Sequence, residues 1–392
     1  MKRRHGSPLV FGLAALTFSF VASACGGDPP EVKAPLPPAT VVEPPPAPEP
    51  PPAPKPEPTA EEKKKAEQLE ALQKDRAKME ADHKKDLERW TPELKAEAKA
   101  LTDKAFPSGK AAVAAVMASK IRKPSDAERD KHRHPVETLE FFGFKPTMTV
   151  LEFGPGEGWY TSLLAPSLAK KGKLLVTNGD PNGPIEERGT FYAQRFKLFL
   201  DTSPEAFGKI ETVAVDNKSP KLPQEGTVDM VLLARELHGM VQQNKMTDWL
   251  GEMHKALKPN GVLAVEQHRA KADAVAEESA KKGYLPEKWV IEKIEAAGFK
   301  LAGKSEINAN AKDTKDYADG VWTLPPSYRL GDKDRDKYAA IGETDRMTLK
   351  FTKIAKAAPK ADKPAAPAKP VTATPPAKPA TPATPATPAK KP

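Results

Sequence analysis

The sequence predicts an α/β domain built on a mostly parallel sheet with helices on both faces. Three observations lead to this. Short apolar runs at 149–153, 173–177, 211–215, 228–233 and 262–266 alternate with stretches of helical character, as buried parallel strands and their crossover helices do. The first run enters the turn Gly154-Pro155-Gly156-Glu157-Gly158, whose glycines permit a sharp strand-to-helix bend and close approach of backbone to a ligand. Most of the 43 prolines among 392 residues fall in two blocks, 29–58 and 359–392. These blocks lack the spaced large apolar residues of a core and are expected to stay extended or disordered.

The chain thus divides into a signal peptide (1–24), a Pro-rich linker (25–58), a charged helical segment (59–105), one globular domain (106–355) and a Pro/Ala/Lys-rich tail (356–392). The formal net charge of +9 is carried by the ends: Lys2, Arg3 and Arg4, and a tail with seven lysines against Asp362. The neutral body argues against a phosphate-tracking groove, so no nucleic-acid partner is expected. The basic tail suits contact with anionic envelope polymers or lipid head groups, or serves as a solubilising tail.

Residues 1–24 combine the basic Lys2-Arg3-Arg4-His5, an apolar run at 9–21 and the small residues Ala22-Ser23-Ala24, the pattern of an export signal. The sole cysteine, Cys25, follows at once, before Gly26-Gly27. This junction resembles a bacterial lipobox, with Ala22 in place of its usual larger apolar residue, and implies lipidation of Cys25, a membrane anchor and export. The alternative is an ordinary cleaved signal with an incidental cysteine. The apolar run is short for a membrane span.

Thr59-Ala60-Glu61-Glu62 fits a capping box opening a charged helix to about Arg89. Its thin apolar stripe (Leu69, Leu72, Met79, Leu87) reads as a solvated stalk, with a short coiled coil or a helix lying on the domain as alternatives. Thr91-Pro92 restarts a helix. Ser108 is placed to cap another at 111–121, and helices are expected at 160–170, 204–207, 245–257 and 287–297, the last ending at Gly298. Runs at 299–307 and 346–352 provide two more strands.

The segment Val150-Leu151-Glu152-Phe153-Gly154-Pro155-Gly156-Glu157-Gly158 resembles motif I of class I S-adenosylmethionine-dependent methyltransferases, an acidic residue followed by Gly-x-Gly-x-Gly. Trp159 stands where a dinucleotide fingerprint wants Gly or Ala. The resemblance covers about 124–353 and is closest to bacterial predicted methyltransferases of unknown substrate. It rests also on Arg133-His134-Pro135-Val136-Glu137-Thr138-Leu139-Glu140-Phe141-Phe142-Gly143, on Trp159-Tyr160-Thr161 and on Glu266-Gln267-His268-Arg269-Ala270. It implies a Rossmann-like sheet of seven strands, the last antiparallel, with S-adenosyl-L-methionine as cofactor. Glu152, Gly154, Gly156 and Gly158 would then line the cofactor's amino-acid moiety. The acidic residue expected after the second strand is replaced by Asn178, with Asp180 two residues on. Asp216, after the third strand, suits the adenine amino group or is an Asx-turn residue.

Ligands of open α/β sheets bind beyond the carboxyl ends of the strands. That rule gathers Arg235, Glu236 and His238, after the fourth strand, with His268 and Arg269, after the fifth. His238 and His268 are candidates for a general base or a substrate contact, Glu236 and Arg269 for substrate contacts. His132-Arg133-His134 lacks a suitably spaced third ligand, so no metal is assigned. Trp322, Pro325-Pro326 and Tyr328 mark an insertion that is either a lid or a surface excursion. The expected function is methyl transfer to a small-molecule or envelope substrate; the alternative is a non-catalytic lipoprotein that keeps the fold.

Overall fold

In the computed structural model, which describes residues 59–223 and 225–354, seven strands form one sheet in the order β3-β2-β1-β4-β5-β7-β6. They are β1 (Thr149–Phe153), β2 (Lys173–Asn178), β3 (Glu211–Ala214), β4 (Val228–Ala234), β5 (Leu257–His268), β6 (Phe299–Ser305) and β7 (Arg346–Lys353). β1 pairs in parallel with β2 and β4, β2 with β3, and β4 with β5. β7 inserts antiparallel between β5 and β6. Strand order reverses beside β1, and the carboxyl ends of β1 and β4 form the crevice where such sheets bind ligands.

Alternation along the strands sends residues to two cores. Leu151, Phe153, Val231, Leu233, Leu263 and Val265 face one. Helices α10 (Leu237–Gln242), α11 (Met246–Ala256), α12 (Ala276–Ala280) and α13 (Glu287–Ala296) cover that face through Met240, Trp249, Leu250, Val290 and Ile294, among others. Val150, Leu174, Val176, Met230 and Leu232 face the other. Over them lie α2 (Pro92–Asp103), α3 (Gly109–Met117), α6 (Pro135–Phe142), α7 (Thr161–Leu168), α8 (Arg188–Asp201) and α9 (Pro204–Phe207). Short helices α4 (Pro124–Ala127) and α5 (Asp130–Arg133) precede α6, while the 3₁₀ turn η1 (Gly320–Thr323) and α14 (Arg335–Ile341) lie between β6 and β7.

Two expectations about the N-terminal part change. Trp90, Leu94 and Ala98 belong to the same apolar core as Val113 and Leu163, so that core begins upstream of residue 106. The first helix, α1 (Ala60–Arg89), opens with the capping box: Thr59 N–H donates to Glu62 at 2.7 Å and Glu62 N–H to Thr59 Oγ1 at 3.2 Å. It is no stalk. Leu72 is buried, Arg76 donates to Gln194 and to the Ile185 carbonyl, Asp75 pairs with Arg188 and Asp86 with Lys123. These polar contacts accompany the thin apolar stripe, of which Leu72 is buried. The signal, linker and tail assignments, with Cys25, lie outside the described residues. No helix among the described residues is long and apolar enough to cross a membrane.

Candidate active site

The turn after β1 is shaped by what surrounds it. Gly154 has φ +64°, and a Cβ there would lie 2.5 Å from the Glu236 side chain. At Gly158 (φ +83°) a Cβ would meet Phe199 at 2.5 Å, whereas above Gly156 (φ +58°) there is only open space. Gly154 N–H donates to Thr177 Oγ1 at 2.9 Å, which ties the turn to β2. Glu152 points beneath the turn, buried, and accepts from Thr161 Oγ1 at 2.7 Å. Burial pushes its carboxyl up to about 7. Of the four turn residues expected at the cofactor, Gly154 and Gly156 line a cavity, while Glu152 and Gly158 hold the turn from behind.

That cavity measures about 530 Å³. Its floor is the glycine turn; one wall carries Glu236 and His238 just after β4, with His268 at the end of β5. The His238 and His268 rings are 6.0 Å apart, and Trp322 lies edge-on to His238 at 5.9 Å. Gln267 Nε2 donates to the Gly283 carbonyl at 2.9 Å and lies 3.5 Å from His238 Nδ1, an arrangement that puts the His238 proton on Nε2. His268 Nδ1 is 2.6 Å from Thr344 Oγ1. Burial pushes His238 down to about 4 and, with the nearby His238 and Arg235, holds His268 well below the usual histidine range. Both rings are neutral at neutral pH. Burial pushes the Glu236 carboxyl up to about 7, against the pull of Arg235. The insertion between β6 and β7 contributes Val321, Trp322, Pro325 and Pro326, so it forms a cavity wall rather than a surface excursion.

A second cavity, about 590 Å³, opens at the ends of β2 and β3 and shares no lining residue with the first. Asp180 and Asp216 line it, with Leu200, Ala214 and Val215. Each carboxylate also accepts a backbone N–H two residues on, Asn182 for Asp180 and Lys218 for Asp216, both at 2.8 Å. These are Asx turns that leave the second carboxylate oxygen available. Asn178 is committed to α8, its amide donating to the Ala193 carbonyl at 3.1 Å.

Arg269 does not reach either cavity. Asp345, Glu287 and Glu306 take its guanidinium at 2.6 to 3.1 Å, and such saturation leaves no donor for a substrate. Arg129, Arg133, Arg235 and Glu343 line one end of the first cavity and belong to a network that the sequence did not reveal. Glu343 accepts from Arg133 at 2.8 Å, Arg129 at 3.0 Å and Arg346 at 2.5 Å. Glu266 accepts from Tyr160 Oη at 2.5 Å and from Arg235 at 3.1 Å. Burial raises the Glu343 carboxyl, yet Arg133, Arg346 and Arg129 together hold it below the usual carboxylate range. Among the described residues no group of three or more His, Cys, Asp or Glu is placed to hold a metal.

Residues 127–298 match the family model described as a methyltransferase domain. No curated protein matches the chain. Among solved structures, an S-adenosylmethionine-dependent methyltransferase from Aquifex aeolicus is 19% identical, with 62% of this chain and 98% of that one covered and a TM-score of 0.38. The [4+2]-cyclase SpnF is 16% identical over 57% of this chain and 82% of its own, with a TM-score of 0.40. The 1,6-didemethyltoxoflavin-N1-methyltransferase of Burkholderia thailandensis, solved with S-adenosylhomocysteine, is 16% identical over 58% and 80%, with a TM-score of 0.34. Residues 127–298 are thus similar to a methyltransferase domain, and the sheet around them has the Rossmann-like order of the class I methyltransferase fold.

Proposed function

We propose that the chain is a methyltransferase that uses S-adenosylmethionine on a small-molecule or envelope substrate. The observation that carries this reading is the open face of the turn at Gly156, in one cavity with Glu236, His238 and His268. The cofactor would have to reach from one cavity to the other across the ends of β1 and β2. Space above Gly156 suits its amino-acid end, and the Asp180 and Asp216 carboxylates, beside apolar Leu200 and Val215, suit ribose and adenine.

When bound, the cofactor supplies an electrophilic methyl group on sulfonium. An acceptor whose nucleophilic atom carries a proton would have to lose it on methylation. Glu236 takes that proton: its carboxyl lines the cavity and its pKa of about 7 lies near working pH. His238 and His268, depressed by burial, are weak bases; they orient the acceptor by hydrogen bonding. The wall of Val321, Trp322 and Pro325 excludes water from the reacting centre.

Calorimetric titration of the full chain with S-adenosylmethionine tests the reading. Saturable binding supports it; no heat at millimolar cofactor removes it. The carboxyl assignments have a test that needs no acceptor. In ¹³C NMR of glutamate-labelled protein, two carboxyls are expected to titrate at about 7, one lost in Glu236→Gln and the other in Glu152→Gln. Titration of both near 4.5 would exclude Glu236 as the base. We extend the proposal to export and a lipid anchor at Cys25, read from 1–25; intact-mass analysis of membrane fractions showing no acyl mass on a chain starting at Cys25 would reject it.

A further inference from the structure

We propose that the arginine end of this cavity holds an anionic group, of carboxylate type, on the methyl acceptor; the proposal rests on the methyltransferase reading above. Arg133 is 2% exposed and forms part of the cavity wall. Its Nε donates to both Glu343 oxygens, at 2.8 and 3.1 Å, and its guanidinium lies 4.7 Å from the Trp159 ring centroid. Its Nη1 is buried without a hydrogen-bond partner among the described residues. A buried guanidinium N–H left unpaired is costly, and a ligand oxygen is the natural way to complete it.

Charge points the same way. Arg129, Arg133, Arg235 and Arg346 converge on two ionised carboxylates, Glu343 and Glu266. Of the other acids at this end, only Asp126 adds a counter-charge, beside Arg129. Asp126 lies 3.7 Å from Arg129 and burial raises its pKa, Glu157 is taken by Arg195 at 2.7 Å, and Glu236 is raised to about 7. The neighbouring His238 and His268 are neutral. Burial, and then the charge of Arg235, pushes Arg133 itself down to about 9, against the pull of Glu343. Buried positive charge in excess of its partners favours an anion from outside.

Arg133 lies against Trp159, next to the glycine turn, but its partners carry the arginine cluster toward the acceptor's side. Glu266 stands on β5, Arg346 on β7 and Glu343 just before it, across β4 from the glycine turn and on the side of the sheet away from Asp180 and Asp216. Val321, Trp322, Pro325 and Pro326 line the same cavity and would pack against the acceptor's apolar body.

The full chain is titrated with benzoate and with neutral benzamide, each with and without saturating S-adenosylhomocysteine. Benzoate is expected to bind about tenfold or more tightly than benzamide, together with S-adenosylhomocysteine, and Arg133→Gln is expected to erase the difference. Because Arg133 is buried, the wild-type melting temperature supplies a reading free of any variant: benzoate raises it, whereas benzamide and chloride at equal ionic strength do not. Equal binding of the two probes, or equal melting shifts, overturns the proposal. So does competition between benzoate and S-adenosylhomocysteine, with Arg133→Gln weakening the latter but not 5′-methylthioadenosine, since the anion would then be the cofactor's own carboxylate. A chain that binds benzoate through Arg133 but no S-adenosylhomocysteine keeps the anion subsite and overturns the methyltransferase reading alone.

Discussion

On the proposed reading, Gly156→Arg is expected to abolish S-adenosylmethionine binding and to leave the fold in place. The choice among the three turn glycines follows from their surroundings. A side chain at Gly154 would drive into Glu236 and one at Gly158 into Phe199, so loss of binding there would be confounded by damage to the turn. At Gly156 nothing lies within 4 Å of a Cβ. The substitution costs about 1–2 kcal/mol for a non-glycine residue in the left-handed region, a loss a domain of this size tolerates. Its long side chain then occupies the space that the cofactor's amino-acid end requires. Calorimetry and thermal melting, run on one preparation, read the two effects separately. A variant that melts near wild type and still binds would show that the cofactor, if bound, lies elsewhere.

Glu343→Gln destabilises the domain by about 3–5 kcal/mol. Glu343 is 4% exposed and faces Arg129, Arg133 and Arg346. Neutralising it leaves three guanidiniums in mutual repulsion, away from the water that would screen them. Urea unfolding followed by tryptophan fluorescence checks this, Trp159 lying against Arg133; a change under about 1 kcal/mol would mean that the arginines find other partners. The same residue sets an acid dependence. Its folded pKa is depressed, so its contribution is complete above the ordinary value of 4.5 and fades as pH falls through the lower folded value. Wild type and variant therefore converge in acid. Glu152 and Glu236 work oppositely: raised from 4.5 to about 7, they hold a proton in the fold that the unfolded chain has released, and they cost stability as pH rises through that window.

Residues 149–153, 173–177 and 228–233 announced their strands because a strand buried on both faces must be apolar at consecutive positions, a purely local pattern. The capping box at Thr59 and the turn at Gly154 were legible for a similar reason, since each completes its own hydrogen bonds or dihedrals within a few residues. Helix α8 escaped notice because no side chain caps its start at Glu187, and its Phe196 and Phe199 are recognisable as a buried face only once the sheet stands beneath them. Placing His238 and His268 at one crevice needed only the rule for strand ends. That both rings are neutral, that Arg269 is locked among three carboxylates, and that Trp322 walls the cavity depended on burial and on partners distant in the chain. Arg133 and Glu343 are 210 residues apart. Periodicity reports what one segment buries, whereas the pairing of charges is decided only when the strands have set their loops side by side.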